Sequence, residues 1–257
     1  MREIRRHQAW SVAALLVLFV APLLGLLLQS VAAAWRFPDL LPTQLGLRGF
    51  QVAFGTGQAG RALINSLVVA LVTTALALAL AWPAARVLAQ VGRRWRTALL
   101  LVLAAPLLVP PLATGTGLTE WMIRLGLTGT RTGVVLAHLT VVLPYVLLIL
   151  QTGFGGRLRE LEEMAGSAGM GPARRLVLVS IPSLRGVIAA AALLGFLVSW
   201  SQYGSSLAVG AGLPLLPLVL VPYIGSDPTV AAALSVLFLL PALAALALAL
   251  RVGREAL

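Results

Sequence analysis

Charged side chains gather in one segment of an otherwise apolar chain, between Glu160 and Pro182. Three of the eight acidic residues fall within four positions of that segment, at Glu160, Glu162 and Glu163, and basic residues follow them. Carboxylates and guanidinium groups placed together in this way can form ion pairs with a soluble protein partner. The Gly171-Pro172 pair between the acidic and basic parts interrupts any helix. We therefore predict a short helix with the acids in its first turn, where the helix dipole favours them, then a break and a second helix that ends at Pro182.

A second polar run, residues 199–206 with the sequence S-W-S-Q-Y-G-S-S, lies inside a long apolar block. Ser, Gln and Tyr supply six of its eight side chains, which are costly to leave unbonded against lipid. These side chains must face a translocation pathway or a packing seam between helices, for which Ser and Gly are also preferred. Both interpretations stay open for Ser199, Gln202 and Tyr203. They stay open also for Asn65, which begins another apolar block and is equally typical of an interfacial cap.

The sequence lacks the residues that most enzymes and ion-coupled transporters use. It contains no Lys, so it has no G-x-x-x-x-G-K-[ST] loop for a nucleotide. No acidic residue falls inside an apolar block, where ion-coupled transporters place their coupling sites. His138 stands alone at membrane depth, which argues against a metal site and leaves open a functional group or a hydrogen bond to a neighbouring helix. No catalytic residues are expected, and the energy for transport must come from a partner.

Apolar blocks long enough to span a membrane flank these polar segments. The chain has 257 residues, of which 60% are hydrophobic and 11% charged, and its mean hydropathy is +0.98. A hydrocarbon core about 30 Å thick needs about 20 apolar residues. The sequence therefore predicts an all-α membrane protein that forms a single transmembrane domain over residues 1–257. Its six transmembrane helices cover residues 10–31, 62–85, 98–118, 132–154, 186–210 and 229–250, and the charged loop, residues 155–185, lies between the fourth and the fifth.

Two of these regions carry further expectations. The third block contains Pro106, Pro110 and Pro111, which free backbone carbonyls that need partners at membrane depth. We therefore expect a kinked helix inside the bundle. Apolar residues in the first outer segment, residues 32–61, predict a short helix on the outer surface.

The distribution of arginine sets the expected orientation. All 19 basic residues are Arg, and 14 of them fall at the termini and in the loops that share a side with the termini, against five on the other side (Arg36, Arg48, Arg61, Arg124 and Arg131). Because basic residues favour the cytoplasmic side, both termini and the charged loop are predicted to be cytoplasmic. The net charge of +11 then matches the lipid bilayer with its anionic headgroups, and not nucleic acid.

The charged loop resembles the E-A-A-x3-G-x9-I-x-L-P motif of binding-protein-dependent ABC importer permeases. The residues that match its spacing are Glu163, Ala165, Gly169, Val179, Ile181 and Pro182. Met164 departs from the motif, since the family has Ala at the second position. An ordinary amphipathic helix at the membrane surface is the alternative. The stretch 213–227 looks most like permeases for iron(III), thiamine, polyamines and similar small ligands.

The resemblance implies a multi-pass permease subunit of the bacterial inner membrane with a coupling helix in the charged loop. It implies ABC ATPase subunits that bind ATP and Mg²⁺, a second permease subunit (this chain or a paralogue) and an extracytoplasmic solute-binding protein, with no cofactor in this chain. The residues it assigns to ATPase coupling are Glu160, Glu162, Glu163, Ala165, Gly169 and Pro182. Glu163 would pair with basic residues of the ATPase, the small residues would allow close approach, and Pro182 would fix the turn into the fifth helix.

Two other classes of function are alternatives. A stand-alone secondary transporter or channel would need no ATPase, but the missing acids at membrane depth argue against it. A membrane-embedded enzyme or assembly scaffold is disfavoured because no catalytic constellation is present.

Overall fold

The computed structural model describes residues 2–35, 39–55 and 57–254, which are almost entirely helical. Arg36, counted above on the outer side, lies outside the described residues, as do the side chains of the N-terminal arginines. The chain forms two compact units, the first from Met1–Leu63 and Val219–Leu240 and the second from Ile64–Leu218 and Pro241–Leu257. The assignment of the whole chain to a single transmembrane domain stays a prediction.

The first unit joins the N-terminal helix, a small hairpin and the start of the last helix. Its elements are α1 (Arg2–Ser30), β1 (Ala32–Ala34), β2 (Gln44–Leu45), α2 (Arg48–Gly55), α13 (Tyr223–Ser226) and the first half of α14 (Pro228–Arg254). The two strands pair antiparallel. The short helix predicted in the first outer segment is confirmed by α2.

An ion pair ties α2 to the start of α14 within this unit. Both terminal nitrogens of Arg48 donate to the Asp227 carboxylate, at 3.3 and 2.7 Å. Asp227 also accepts a hydrogen bond from the Val230 amide at 3.3 Å and so caps α14, whose first residue is Pro228. Gly49 lets α2 approach closely, because a Cβ atom there would lie 2.6 Å from the Thr229 carbonyl oxygen.

The second unit is built around α6 (Arg131–Leu150), most of whose length is buried. The other elements of this unit are α3 (Gln58–Gln90), α4 (Arg93–Ala104), α5 (Pro111–Arg124), α7 (Gly156–Ser167), α8 (Pro172–Arg175), α9 (Ile181–Ser183), α10 (Arg185–Trp200), α11 (Gly204–Val209), α12 (Leu216–Leu220) and the second half of α14, with α3, α12 and α14 shared with the first unit. Thr130 caps α6 by accepting from the Gly133 amide at 3.0 Å.

Small residues let the neighbouring helices pack closely on α6. Ala77, Ala81 and Ala85 of α3 share one buried core with Val146 of α6. On the other side, a Cβ atom at Gly195 of α10 would lie 2.8 Å from a methyl group of Val146. Close helix packing through small residues is the main source of attraction between helices in lipid, because lipid removes the hydrophobic driving force between them.

The lengths of the apolar helices agree only in part with the six predicted spans. Among the described residues, three helices are long and apolar enough to cross a membrane, Gln58–Gln90, Arg131–Gly153 and Pro228–Gly253. The number rises to five if each of two bent pairs, Arg93–Leu108 with Pro111–Arg124 and Pro172–Ser183 with Arg185–Trp200, counts as one span. A shorter apolar helix, Ala14–Ser30, lies in the first predicted span.

Two expectations about these spans are wrong. The predicted span 186–210 is not one helix, since α10 ends at Trp200 and α11 begins at Gly204. The kink expected in the third block is confirmed, with a bend of 91° between its two helices, but the expected position inside the bundle holds only for α5, where Gly115 is buried, and not for α4. No residue of α4 is buried, and Leu101 and Val102 are 69% and 70% exposed.

Candidate functional site

The charged loop, residues 155–185, folds as a helix, a break and a second, irregular helix. The first helix, α7, begins at Gly156, so the acids lie in its middle and the expectation that they occupy the first turn is wrong. The start of α7 is set by apolar anchoring, because Leu158 and the preceding Phe154 are buried in the core around α6. The second helix continues past Pro182 to Ser183, which corrects its predicted end. Pro182 is tolerated because it follows the π-helical turn Leu176–Ser180, where the regular hydrogen bonding of an α-helix is already interrupted.

Gly169 ends α7 in a Schellman motif. Its φ angle is +82°, in the left-handed region that favours glycine. The Gly169 amide donates to the Gly166 carbonyl at 3.0 Å, and the Met170 amide donates to the Ala165 carbonyl at 3.0 Å. No atom lies within 4 Å of the position that a Cβ at Gly169 would occupy. Within this chain, Gly169 is therefore required by backbone conformation and not by close packing.

Glu162 and Glu163 are adjacent in sequence but face different surroundings. The Glu162 side chain is 14% exposed and accepts hydrogen bonds from Arg86 of α3 and from the buried Ser180 hydroxyl, the latter at 2.5 Å. The Glu163 side chain is 62% exposed and pairs only with Arg159 of its own helix, at 2.7 Å. This hydrogen bond raises the pKa of the Arg159 guanidinium. Glu162 thus joins α7 both to α3 and to the second helix of the loop, while the Glu163 side chain remains accessible.

The other residues assigned to coupling divide in the same way. Glu160, Gly169 and Pro182 are exposed, whereas Ala165 is half-buried. The loop also carries exposed apolar side chains, namely Met164, Val177, Leu178 and Ile181. Large apolar groups left in water beside accessible carboxylates are typical of a protein-binding surface.

The candidate pathway residues Ser199 and Gln202 belong to a buried hydrogen-bond network around His138. Nδ1 of His138 lies 2.9 Å from the Ser199 hydroxyl, and Nε2 lies 2.8 Å from the Ser206 hydroxyl. The Ser206 hydroxyl donates to the Gln202 carbonyl at 2.6 Å, and the Ser205 hydroxyl donates to the Gln202 side-chain oxygen at 3.1 Å. Because the Ser206 proton is already used, Nε2 must carry a proton and donate to Ser206. In a neutral ring, Nδ1 then accepts from Ser199.

This network resembles a packing seam more closely than an open pathway. Ser199, Gln202 and Ser206 are buried, and the cavity that they line with His138 has a volume of about 10 Å³. A cavity of this volume has room for about one water molecule, so no larger solute fits between these side chains in this conformation. Tyr203 differs from the others because it is 38% exposed. The pathway role of these residues stays a prediction.

Asn65 is likewise engaged within the protein. Its side-chain nitrogen donates to the Pro214 carbonyl at 2.9 Å, and its oxygen accepts from Nε of Arg131 at 2.9 Å. The neighbouring Ser66 hydroxyl accepts from the Leu216 amide at 2.8 Å. These two residues of α3 thereby hold Pro214 and Leu216, the first residue of α12, in place. A pathway role for Asn65 also stays a prediction.

Three partners in these contacts were not singled out from the sequence. Arg86, Arg131 and Ser206 contact residues 76, 66 and 68 positions away respectively. In the sequence, Arg86 and Arg131 served only as loop arginines that set the expected orientation in the membrane. Ser206 served only as one member of the polar run 199–206. Among the described residues, no group of three or more His, Cys, Asp or Glu side chains is arranged to hold a metal ion.

Comparisons with known proteins identify relatives over most of the chain. A protein of Streptomyces antibioticus described as the ABC transporter permease ORF1 is 34% identical over 222 residues, covering 82% of this chain and 94% of the relative. The trehalose transport system permease SugB of Mycobacterium tuberculosis is 27% identical over 235 residues, covering 87% and 84% of the two chains. The 2-aminoethylphosphonate transport system permease PhnV of Salmonella typhimurium is 28% identical over 208 residues, covering 79% and 77%.

One solved structure shows the same fold. A chain of a bacterial ABC transporter involved in the import of the acidic polysaccharide alginate superposes with a TM-score of 0.74, at 16% identity and over 97% of this chain and 96% of that chain. No family model matches the sequence.

Proposed function

Since this chain belongs to the permease proteins of ABC transporters, we propose that it forms the translocation pathway of an ATP-driven importer and couples that pathway to a separate ATPase. The observation that carries the coupling role is the exposure of the charged loop, where the carboxylate of Glu163 and the apolar side chains of Met164 and Leu178 are all largely exposed. An ATPase that presents basic groups around an apolar groove would match both features. The loop is followed directly by α10, which leads to Ser199 and the polar network.

The individual residues of the loop would share the work of coupling. Glu160 and Glu163 would contact the ATPase, since both are exposed. Glu162 would act from inside, because its bonds to Arg86 and Ser180 fix the orientation of α7. Gly169 and Pro182 would set the ends of the two helices, so that the loop moves as one body when the ATPase closes.

The proposed topology has six transmembrane helices and both termini in the cytoplasm, with the bacterial inner membrane as its location. It is supported by the excess of arginine on the proposed cytoplasmic side, and the two bent helix pairs and Ala14–Ser30 would complete the three long apolar helices. The assembly would contain ATPase subunits that bind ATP and Mg²⁺, a second permease subunit and an extracytoplasmic solute-binding protein.

The names of the relatives bear on the class of solute that this chain would import. Relatives are named for trehalose, diacetylchitobiose, 2-aminoethylphosphonate and molybdenum. These names cover two sugars, an aminophosphonate and molybdenum, and none of them is iron(III), thiamine or a polyamine. Those three ligand classes therefore rest only on the sequence resemblance in residues 213–227.

A pull-down from mild detergent tests the coupling role. The tagged chain should recover a protein with a phosphate-binding G-x-x-x-x-G-K-[ST] loop, and Glu163→Arg should abolish that recovery because it places a cation against the basic groups of the partner. Glu120→Arg is the matched control, since Glu120 is equally exposed but lies on the predicted opposite side of the membrane. Recovery that is the same for both variants would refute docking through Glu163. Solute flux through liposomes that contain the purified chain alone would favour a stand-alone transporter.

A further inference from the structure

An arginine-rich cavity of about 750 Å³ lies in the second unit between the charged loop and the ends of α3 and α4. Four arginines and two glutamates line it: Arg86, Arg96, Arg159, Arg175, Glu162 and Glu163. The side chains come from four separate helices, α3, α4, α7 and α8. The fold thus brings together arginines that are up to 89 positions apart in sequence, from Arg86 to Arg175.

Two of the four guanidinium groups have no carboxylate partner among the described residues. Glu162 pairs with Arg86, and Glu163 pairs with Arg159, so the two acids of the cavity are already taken. Arg96 bonds only to the neutral side-chain oxygen of Gln151, at 2.9 Å. Nε of Arg175 is buried without a hydrogen-bond partner. A buried donor on a cation needs an acceptor, which either water or an anionic ligand can supply.

An apolar cavity lies along the same helices. It has a volume of about 320 Å³ and is lined by Leu80 and Ala84 of α3, Val102 of α4 and Leu147 of α6, among others. On both helices the residues that line the apolar cavity lie farther from the turn between α3 and α4 than the arginines do, by about 3 Å of helix rise from Arg86 to Ala84 and about 9 Å from Arg96 to Val102. The charged cavity therefore lies nearer the turn, and the apolar cavity follows it along the two helices.

We propose that this chain binds an anionic phospholipid, with its phosphate group among Arg86, Arg96 and Arg175 and an acyl chain in the apolar cavity. Guanidinium groups bind phosphate oxygens through paired, charge-assisted hydrogen bonds. The arginine distribution predicts that these helix ends face the cytoplasm, where the leaflet carries anionic headgroups. The exposed apolar face of α4 continues from the arginine-rich cavity, which suits a lipid and not a water-soluble phosphate. The inference does not depend on the ATPase partner.

The experiment measures which lipids the purified chain retains. The chain is assembled into nanodiscs with equal amounts of phosphatidylglycerol and phosphatidylcholine, released in the gas phase and weighed by native mass spectrometry. Wild-type chain should retain phosphatidylglycerol preferentially. Arg96→Gln and Arg175→Gln should each lower that preference by about tenfold, the loss expected for one charge-assisted hydrogen bond. Arg93→Gln is the matched control, because Arg93 is exposed on the same helix and does not line the cavity.

A second pair of variants tests the acyl chain. Val102→Trp fills the apolar cavity and should lower retention of both lipids, whereas Leu101→Trp, equally exposed but outside the cavity, should leave it unchanged. These exposed sites keep the test decisive even if Arg175→Gln fails to fold. Equal retention of the two lipids by the wild-type chain would overturn the proposal. It would also be overturned if millimolar inorganic phosphate raised the melting temperature of lipid-free protein without any lipid preference, because the ligand would then be free phosphate.

Discussion

Removing the Glu162 side chain should loosen the charged loop from the rest of the second unit. Glu162 is the only described residue that bonds both to α3, through Arg86, and to the irregular helix that follows the break, through Ser180. In Glu162→Ala the buried Ser180 hydroxyl keeps only a weaker contact with the Arg175 carbonyl, at 3.3 Å. The Arg86 guanidinium loses its carboxylate altogether.

The expected cost follows from these two contacts. A buried hydrogen bond to a charged group contributes about 1.5 kcal/mol, which applies to Ser180. The pair with Arg86 contributes less, about 0.5 kcal/mol, because the Arg86 side chain is 44% exposed and its charge is screened by water. Glu162→Ala should therefore cost about 2 kcal/mol, which lowers the melting temperature by about 4–8 °C in a chain of this size. Glu162→Gln keeps one acceptor oxygen, which can serve Ser180 or Arg86 but not both, and should cost about half as much.

Thermal unfolding in detergent, followed by tryptophan fluorescence, measures this effect. Glu163→Ala is the matched control, since Glu163 bonds only within α7 and its side chain is largely exposed. It should leave the melting temperature unchanged and reduce ATPase recovery, while Glu162→Ala should lower the melting temperature. If both alanine variants melted at the wild-type temperature, Glu162 would not hold the loop in place and the structural reasoning would be refuted.

Three further variants test other parts of the structure. Gly169→Ala should destabilise the end of α7 by about 1–2 kcal/mol because an L side chain disfavours the left-handed conformation, and Gly169→Asn, which tolerates that conformation, should cost less; faster amide exchange near residue 169 would report the loss. His138→Ala should lower stability by about 2–4 kcal/mol, since it removes two hydrogen bonds and leaves a cavity, while His138→Gln should retain part of the network; equal melting temperatures would argue against the network's role. Asp227→Asn should lower the melting temperature at neutral pH. The Arg48 hydrogen bond holds the pKa of Asp227 below its ordinary value of 3.8, so this contribution is present above pH 3.8 and is lost as the pH falls through the lowered pKa, and the two proteins should then converge in stability.

Local signals in the sequence predicted local features well. The Gly171-Pro172 pair predicted the break in the charged loop, and the three prolines of the third block predicted its bend. The glycine of the family motif, Gly169, lies where a helix must end, although its reason is backbone conformation and not space. These features depend on residues within one or two turns of each other, so a single stretch of sequence contains their cause.

Features that depend on distant partners could not be predicted in the same way. The difference between Glu162 and Glu163 arises because only one of them faces Arg86, which is 76 residues away from Glu162. Hydropathy extended the fifth span to residue 210, but α10 ends at Trp200 and the polar side chains beyond it bond to the buried network. The prolines of the third block predicted a position inside the bundle, because carbonyls freed by proline need partners, but no residue of α4 is buried.

The hydrogen bonds of His138 have a consequence for how the chain is made. Synthesis proceeds from the N-terminus, so the imidazole leaves the ribosome 61 residues before Ser199 and 68 residues before Ser206. During that interval the fourth predicted span carries a ring whose two nitrogens lack these partners, and exposing it to lipid is unfavourable. The helix that carries His138 is therefore expected to stay near the insertion machinery until α10 and α11 are made. A chain truncated before Ser199 would keep this unsatisfied ring and should be a preferred substrate for membrane quality control.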